Sequence, residues 1–568
     1  MMPSLHTLTE PKPADGQTYA TPRRRAKAGR TVRSGLFFGS FTALAMVLTA
    51  CENAPDASPA PAETDVSLVQ TASGPIRGEV SDTGRYVSFR SVPFAAPPVG
   101  DLRFAPPQKP ASWTEPLDAM DIAPACPQTL PEPGAWNYAA DLSYSEDCLY
   151  LNVFAPADAI AADDADLPVM FWIHGGSFSQ GTASQPVFRD PAPYIERDAI
   201  LVTVNYRLSA LGYLAHPDFS AKAETGTSGN YAVLDQIAAL EWVKDNIAAF
   251  GGDADNVTVF GESAGALSIN ALMAAPPAQD LFDKVIVQSG GAWGFSPYTK
   301  SLEDAEAWGE TFLAERGAQT LEDAQALDTE AFINLPINYS FELQPLADGV
   351  VLNDPSADEF LRGNQSGQDM LIGWTREETG NFPNEVASRE AAEDIFVSMF
   401  GEEYGPALLS DWIAASDGDL NYAMIASSTG SIAQGSLYQA KLQLEKTDNV
   451  FVYRFDLAPP SKNGEATYAV HGADVPFTFG HEPDGTSWRE MDFSVSDALI
   501  DYWVNFARTG NPNGEDLPDW PTFDPQSPDI MSFGAETGAM PLSEYPLIMR
   551  TVTEFNRDLI ESYTGETD

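Results

Sequence analysis

The sequence predicts an α/β fold in which a large, mostly parallel twisted sheet is covered by helices on both faces. Two observations lead to this fold class. Short, continuously apolar runs recur along the chain, as in strands that are buried on both faces, and helical patterns lie between them. With 568 residues, 43% of them hydrophobic, the chain is also long enough to bury such a sheet.

The elements that support this fold follow in chain order. Apolar residues recur at helical spacing from Leu234 to Ile247, which predicts an amphipathic helix over 231–250 that ends at Gly251-Gly252. A late helix is predicted over 498–507. Strands are predicted at 168–173, 199–204, 257–260, 285–287, 370–372 and 450–455.

The first fifty residues have a different character. Basic residues between Arg23 and Arg33 precede an apolar run, Gly35 to Ala50, that is short for a transmembrane helix. This order is typical of an export signal. The run ends Leu-Thr-Ala-Cys at Cys51, which resembles the bacterial lipobox. We therefore interpret 1–50 as a lipoprotein signal peptide and Cys51 as the lipidated residue; an ordinary cleaved signal or an anchor helix is the alternative.

The segment 51–65 is rich in Pro, Ala and acidic residues, which predicts an extended tether. A single domain is predicted over 66–568. Because Glu52 rather than Asp follows Cys51, a host with two membranes would sort the protein to the outer one. The expected location is the periplasmic side of the outer membrane or the cell surface, with membrane contact through the lipid alone.

The formal net charge of −51 argues against nucleic acid as a partner, because a phosphate backbone would be repelled. An acidic surface that keeps the protein soluble explains the charge, and a salty habitat would fit as well.

Cys126 and Cys148 are the two cysteines that remain after Cys51. In an oxidising compartment they are expected to form a disulfide, with two free buried thiols as the alternative. The sequence shows no pattern of metal ligands, so neither a metal nor a cofactor is predicted.

The stretch VTVFGESAGALS, residues 257–268, predicts a strand, a tight turn and the start of a helix. Ser263 in this turn is either a helix cap or a nucleophile held above the sheet. A serine nucleophile needs a histidine base and an acid that orients it. His471 follows in the chain, with His481 the weaker candidate, and Glu378 lies between Ser263 and His471 after a predicted strand.

This order of serine, acid and histidine is the one found in α/β-hydrolases. A glycine-rich turn, IHGGSF at 173–178, could supply backbone donors for an oxyanion; its alternative is a plain loop.

The sequence resembles the type-B carboxylesterases, the α/β-hydrolase family that includes cholinesterases and bacterial p-nitrobenzyl esterases. The resemblance covers about residues 66–560. It is carried by SVPFAAPPVGDLRF, SEDCLYLNVF, FWIHGGSF, NYRLSALGYL, NVTVFGESAGA, HGADVPFTFG and NFARTGNPN, among other pieces.

The resemblance implies a role for each matching residue. Ser263 would be the nucleophile, His471 the base and Glu378 the acid. The oxyanion donors would be the backbone N–H groups of Gly176, Ser177 and Ala264. Cys126 and Cys148 match a family disulfide, and Glu146 and Arg207 match a family ion pair.

Two departures from the family pattern concern the site. Ser177 stands where a third glycine is usual, and the acid motif reads Glu377-Glu378-Thr379 instead of Asp-Glu-Gly. The second departure raises the question of which glutamate faces His471.

Four further residues are candidates for substrate contact. Glu262 lies where the family places a carboxylate near the alcohol side, or it is simply an acid at a helix N-terminus. Trp136 lies near the position of a cation-binding indole in cholinesterases. Trp293 and Phe295 line the acyl pocket or pack in a lid or core.

The predicted function is a serine carboxylesterase that hydrolyses short-to-medium acyl or aryl esters through a covalent acyl-enzyme, with a small-molecule ester as the expected substrate. One alternative is a hydrolase dedicated to a single toxin, carbamate, polyester or choline ester. The others are a lipase for long chains and a non-catalytic binding scaffold. The sequence does not indicate an oligomeric state.

The predicted anchor is testable by changing Cys51→Ala. Without its thiol the chain cannot be lipidated, so the protein should move from the membrane fraction to the soluble fraction of fractionated cells. A Cys126→Ala variant, which keeps Cys51, should stay with the membranes. Membrane association of the Cys51→Ala variant would refute the anchor.

Overall fold

The computed structural model describes residues 65–130, 139, 141–162, 165–292, 301–336, 339, 342–380, 386–460, 468–483 and 485–555. The predicted signal peptide, Cys51 and all of the predicted tether except Asp65 lie outside these residues, as do Trp136, Trp293 and Phe295. The predicted domain boundaries therefore stay predictions.

Eleven strands of the described chain form one large sheet, and three form a small one of order β1-β2-β5. The strands are β1 (Leu68–Gln70), β2 (Pro75–Arg77), β3 (Glu79–Val80), β4 (Tyr86–Pro93), β5 (Leu117–Asp118), β6 (Tyr150–Pro156), β7 (Leu167–Ile173), β8 (Ile200–Val204), β9 (Gly252–Glu262), β10 (Lys284–Gln288), β11 (Asp369–Thr375), β12 (Val450–Phe455), β13 (Asp529–Phe533) and β14 (Gly538–Pro541).

The large sheet has the order β14-β13-β12-β11-β10-β9-β7-β8-β6-β4-β3. All neighbours from β13 to β8 are parallel, and antiparallel pairs close both edges. The predicted mostly parallel sheet is confirmed.

The α-helices of the described chain are α1 (Ala157–Ala161), α2 (Ala192–Ile195), α3 (Ser209–Tyr213), α4 (Pro217–Lys222), α5 (Tyr231–Asn246), α6 (Ala264–Ala274), α7 (Leu302–Ala314), α8 (Leu321–Ala326), α9 (Ser356–Leu361), α10 (Arg389–Ala415), α11 (Leu420–Gln443), α12 (Val475–Thr478), α13 (Glu490–Thr509) and α14 (Tyr545–Phe555). None of the described helices is long and apolar enough to cross a membrane.

Both faces of the sheet are covered, as alternate residues of β7 demonstrate. Val169, Phe171 and Ile173 belong to the core that includes α5, α6 and α11, whereas Met170 and Trp172 belong to the core that includes α13. Successive side chains of a strand point to opposite faces, so a strand buried on both faces must be apolar throughout. This is why β7 reads as an unbroken apolar run.

The structure contains the predicted strands and helices, several of them with longer bounds than predicted. The strand predicted at 450–455 has these bounds as β12, and the predicted helix 231–250 is α5 followed by a 3₁₀ turn, Ile247–Phe250. The predicted helix 498–507 is the C-terminal half of α13, Glu490–Thr509. The expected disulfide between Cys126 and Cys148 is formed, so the alternative of two free thiols is wrong.

The predicted ion pair between Glu146 and Arg207 is wrong. Arg207 forms a two-pronged pair with Asp235 of α5, through Nε to Oδ2 at 2.8 Å and Nη2 to Oδ1 at 2.7 Å. Glu146 instead pairs with Arg103. The physical reason is that both side chains already have other partners: Nη1 of Arg207 donates to the Ala105 carbonyl at 2.8 Å, and Glu146 accepts from Nε of Arg103 at 2.8 Å.

The pair of Arg207 and Asp235 generates a stability prediction, because both side chains are buried. Asp235→Asn leaves the guanidinium charge without its partner, so the free energy of unfolding should fall by about 3–5 kcal/mol. Urea unfolding followed by circular dichroism measures this change. As a control, Glu196→Gln removes the exposed partner of Arg85 and should barely change the urea concentration at the midpoint of unfolding. Equal stability of the Asp235→Asn variant and wild type would contradict the assignment.

Candidate active site

Ser263 occupies the turn between two regular elements. β9 ends at Glu262 and α6 begins at Ala264, and Ser263 between them has φ 56° and ψ −121°, a strained backbone conformation for a residue with a side chain. Its side chain makes no capping hydrogen bond to α6. The alternative that Ser263 is a helix cap therefore has no support in the structure.

Glycines on either side of Ser263 allow the turn to lie against the end of β7. A Cβ atom on Gly265 would come within 2.1 Å of the carbonyl oxygen of Ile173, and one on Gly261 within 2.7 Å of the same oxygen. Contacts this close are forbidden, so only glycine fits at both positions. The two glycines of the motif are thus explained by close packing of two strand ends.

The glycine-rich turn 173–178 meets the serine turn. A Cβ on Gly175 would lie 3.1 Å from the Cβ of Ser263, so the two turns are in contact. Gly176 and Ser177 have φ values of 111° and 53°. Among the described residues, nothing accepts a hydrogen bond from either N–H group.

Ala264 supplies the third predicted donor. It is the first residue of α6, whose first turn has N–H groups without intrahelical partners. The departure at Ser177 keeps the backbone donor, and its side chain is exposed, so the extra Cβ meets no steric obstacle.

Tyr206 packs against His174 of the glycine-rich turn. The two rings stack with centroids 4.4 Å apart, and the Tyr206 hydroxyl donates to the His174 carbonyl oxygen at 2.7 Å. Burial lowers the pKa of His174 to about 4, so this histidine stays neutral. Its role is to hold the turn.

His471 lies between two carboxylates. Its Nδ1 is 2.6 Å from Oε2 of Glu378, and its Nε2 is 3.2 Å from Oε1 of Glu262. Glu378 is fully buried, and its other oxygen accepts from the backbone N–H of Thr375 at 2.7 Å. These contacts fix the orientation of the imidazole ring, with Nε2 beside the carboxylate of Glu262, the residue that precedes Ser263.

Glu377 faces elsewhere, which answers the question raised by the altered acid motif. Its Oε2 accepts from the N–H of Ala469 at 2.9 Å, and its Oε1 pairs with Arg376 and accepts from the Tyr422 hydroxyl at 3.1 Å. Of the two adjacent glutamates, Glu378 is the one in contact with His471.

Comparison with known proteins agrees with this geometry. A model of the carboxylesterase family matches residues 65–545. The chain belongs to the carboxylesterase family. It is 32% identical over 501 residues to the fumonisin B1 esterase of Sphingopyxis macrogoltabida, covering 85% of this chain and 89% of that protein.

Two further comparisons support the same class. The chain is 32% identical over 493 residues to the phenmedipham hydrolase of Pseudarthrobacter oxydans, covering 83% of this chain and 95% of that protein. A solved PNB esterase matches with a TM-score of 0.72 and 31% identity over 85% of this chain and 99% of the other. The protein is a carboxylic ester hydrolase with the α/β-hydrolase fold.

Burial and charge together set the protonation of this carboxylesterase's histidine. Burial raises the pKa of Glu262 to about 7, an effect that the positive charge of His471 partly offsets. Burial alone would lower the pKa of His471, but the charges of Glu262 and Glu378 outweigh it and raise that pKa to about 9. The two carboxylates therefore favour the protonated imidazole.

The sequence did not single out a buried polar group close to His471 in the chain. Asp474, fully buried, accepts from Gln288 Nε2 at 2.9 Å and from the Tyr453 hydroxyl at 3.0 Å. Burial raises the pKa of Asp474. The available signal was its position three residues after His471, ahead of the short helix α12. The described residues contain no group of three or more His, Cys, Asp or Glu side chains that could hold a metal ion.

The contact between Glu262 and His471 predicts a shift in pH dependence. Unprotonated His471 is the form that can accept a proton, so kcat/KM should fall as pH drops through the pKa of His471. Glu262→Gln removes a negative charge that raises this pKa, and the acidic limb of kcat/KM should move to lower pH, by about one unit for each 1.4 kcal/mol of lost interaction.

Glu377→Gln is the matched control, because Glu377 is a buried carboxylate next to Glu378 in the chain that does not contact the imidazole ring of His471. Its acidic limb should stay close to that of wild type. An unshifted limb in Glu262→Gln, measured with a neutral ester from pH 5 to 10, would contradict the electrostatic role of Glu262.

Proposed function

We propose that the protein is a serine carboxylesterase in which Ser263, His471 and Glu378 form the catalytic triad. The observation that carries the proposal is the orientation of His471, whose Nδ1 meets Glu378 at 2.6 Å while Nε2 lies 3.2 Å from Oε1 of Glu262, the residue before Ser263. A buried carboxylate at Nδ1 keeps the proton on that nitrogen, so Nε2 is the nitrogen that would act as the base.

Acylation is the first half of the reaction. His471 Nε2 takes the hydroxyl proton of Ser263 as Oγ forms a bond to the ester carbonyl carbon, and the carbonyl oxygen becomes an oxyanion. The tetrahedral intermediate collapses when His471 returns the proton to the alcohol oxygen and the carbon–oxygen bond to the alcohol breaks.

Deacylation repeats these transfers with water. His471 takes a proton from the water as its oxygen attacks the acyl carbon, and the proton then returns to Oγ of Ser263 as the carboxylic acid leaves. Glu378 stabilises the imidazolium that forms in both halves, because its buried charge lies against Nδ1.

Three backbone N–H groups would hold the oxyanion: those of Gly176, Ser177 and Ala264. The first two have no acceptor among the described residues, and the third belongs to the N-terminal turn of α6, where the helix dipole favours negative charge. Each such donor typically contributes about 10²–10³ in kcat.

Short-to-medium acyl or aryl esters are the proposed substrates, and Glu262 is the proposed carboxylate on the alcohol side. A second candidate is a hydrolase for one specialised ester. Two relatives at 32% identity are named for single substrates, fumonisin B1 and phenmedipham. Trp136, Trp293 and Phe295 remain candidates for the substrate pocket from sequence alone.

For the location, we propose export and a lipid anchor at Cys51. The proposal rests on the signal-like segment before Cys51. The disulfide between Cys126 and Cys148 supports it, because disulfides persist in oxidising compartments.

The esterase proposal is tested with p-nitrophenyl esters of increasing acyl length, using residues 52–568. We expect kcat/KM to peak at short-to-medium chains and to fall by about 10³- to 10⁶-fold in Ser263→Ala, because the attacking hydroxyl is lost. Ser494→Ala, an exposed serine of α13, is the control and should keep full activity.

The outcomes separate the candidates. Activity retained in Ser263→Ala would contradict the proposed nucleophile. No activity of wild type at any chain length, together with hydrolysis of one unrelated ester, would favour the specialised hydrolase.

A further inference from the structure

The loop that carries His471 is joined to the loop that carries Glu378 by backbone hydrogen bonds. The N–H of His471 donates to the carbonyl oxygen of Glu378 at 3.1 Å, and the N–H of Glu377 donates to the carbonyl oxygen of Ala469 at 3.0 Å. The contact between Nδ1 of His471 and the Glu378 carboxylate bridges the same two loops. The position of the imidazole therefore depends on how the loops are joined.

Glu377 adds a side-chain hydrogen bond to this junction. Its Oε2 accepts from the backbone N–H of Ala469 at 2.9 Å, two residues before His471. Glu377 is 1% exposed and Ala469 is fully buried. A buried backbone N–H needs an acceptor, and solvent does not reach this one. The carboxylate of Glu377 thus ties the histidine loop to the loop of the acid.

The other oxygen of Glu377 is held by two donors. Oε1 pairs with Nε of Arg376 and accepts from the hydroxyl of Tyr422 at 3.1 Å. Tyr422 belongs to the first turn of α11, a helix that packs against β11 and β12. A carboxylate is planar and rigid, so the contacts at Oε1 also fix the direction of Oε2, toward Ala469.

The placement of a base strongly affects the rate of proton transfer. A misplacement of about 1 Å can lower an enzymatic rate about 100-fold. Loss of the acceptor at Glu377 would release the N–H of Ala469 and with it the backbone that leads to His471.

We propose that Glu377 is a positioning residue, which fixes the loop of His471 through its hydrogen bond to the N–H of Ala469. The inference rests on the proposed triad, because it concerns the base of that triad. The carboxylate of Glu377 does not contact the imidazole, so its effect on the rate passes through the backbone of the histidine loop.

The test compares two variants of similar side-chain length that remove the same charge. Glu377→Met cannot accept the hydrogen bond, whereas Glu377→Gln keeps an oxygen that can. With a neutral p-nitrophenyl ester, kcat should fall about 10- to 100-fold in Glu377→Met, while KM stays close to that of wild type. Glu377→Gln should recover most of the lost kcat.

The pH profile separates a displaced histidine from a loss of folded protein, because the pH of the acidic limb does not depend on the amount of active enzyme. A displaced loop weakens the contact of His471 with Glu378 and lowers the pKa of His471, so the limb of kcat/KM should move to lower pH in Glu377→Met. It should stay in place in Glu377→Gln. The charged groups that act on His471 are Glu262, Glu378 and Asp474, and neither variant changes them.

Glu359→Gln is the matched control, because Glu359 of α9 is also a buried glutamate beside an arginine, Arg362. It should keep the kcat of wild type. Circular dichroism checks that each variant is folded. If Glu377→Met does not fold, Glu377→Asp replaces it: the shorter carboxylate keeps its charge but cannot reach both Arg376 and Ala469, and kcat should fall as well.

The outcomes distinguish this inference from the triad on which it rests. Activity retained in Ser263→Ala would overturn the triad. Loss of activity in Ser263→Ala, together with wild-type kcat and an unshifted limb in Glu377→Met, would overturn the role of Glu377 alone. Losses of equal size in Glu377→Met and Glu377→Gln would overturn the assignment to the hydrogen bond with Ala469.

Discussion

The close approach of β7 and β9 is the constraint on which the candidate active site depends. The two strands are parallel neighbours, and Ile173 at the end of one pairs with Gly261 near the end of the other. Parallel strands bring the turns at their carboxyl ends to the same edge of the sheet. Gly261 and Gly265 allow the serine turn to lie against the Ile173 carbonyl, and this contact sets Ser263 beside the glycine-rich turn.

A second constraint is electrostatic. Glu262, Glu378 and Asp474 are all at most 2% exposed, and His471 is the group that can carry the balancing positive charge next to the first two. Such a site favours the imidazolium, which is the form of the base in the transition state of acyl transfer. The same charges keep His471 protonated at low pH, where it cannot act as a base. The carboxylates therefore stabilise the transition state but lower the fraction of the enzyme that can begin the reaction.

Much of this arrangement could be predicted from the sequence, because its signals are local. An unbroken apolar run predicts a strand buried on both faces, as at β7, and the spacing around Ser263 predicts a strand, a turn and a helix. The order of serine, acid and histidine fits many acidic residues, and it was the resemblance to the type-B carboxylesterases that predicted Glu378 and His471. In contrast, the partner of Arg207 depends on tertiary packing, and with acidic residues so abundant the chain offers many equivalent choices.

Two long helices, α10 and α11, were not predicted from the sequence, for a physical reason. α10 contains Pro406 and a non-helical Gly401, and α11 contains Gly430 and Gly435 among small residues. These residues interrupt the apolar period that would reveal a helix. The choice between Glu377 and Glu378 likewise needed three-dimensional contacts, because the two are adjacent in the chain. The same holds for the contact of Glu262 with His471, which joins residues far apart in sequence.

The most direct test of the central claim is covalent labelling with a serine-directed phosphonate, followed by mass spectrometry of the digested protein. The account predicts one label, on the peptide that contains Ser263, formed rapidly in wild type and in His481→Ala but at least about 10³-fold more slowly in His471→Ala. A label on another residue, or labelling of the His471→Ala variant at the wild-type rate, would contradict it.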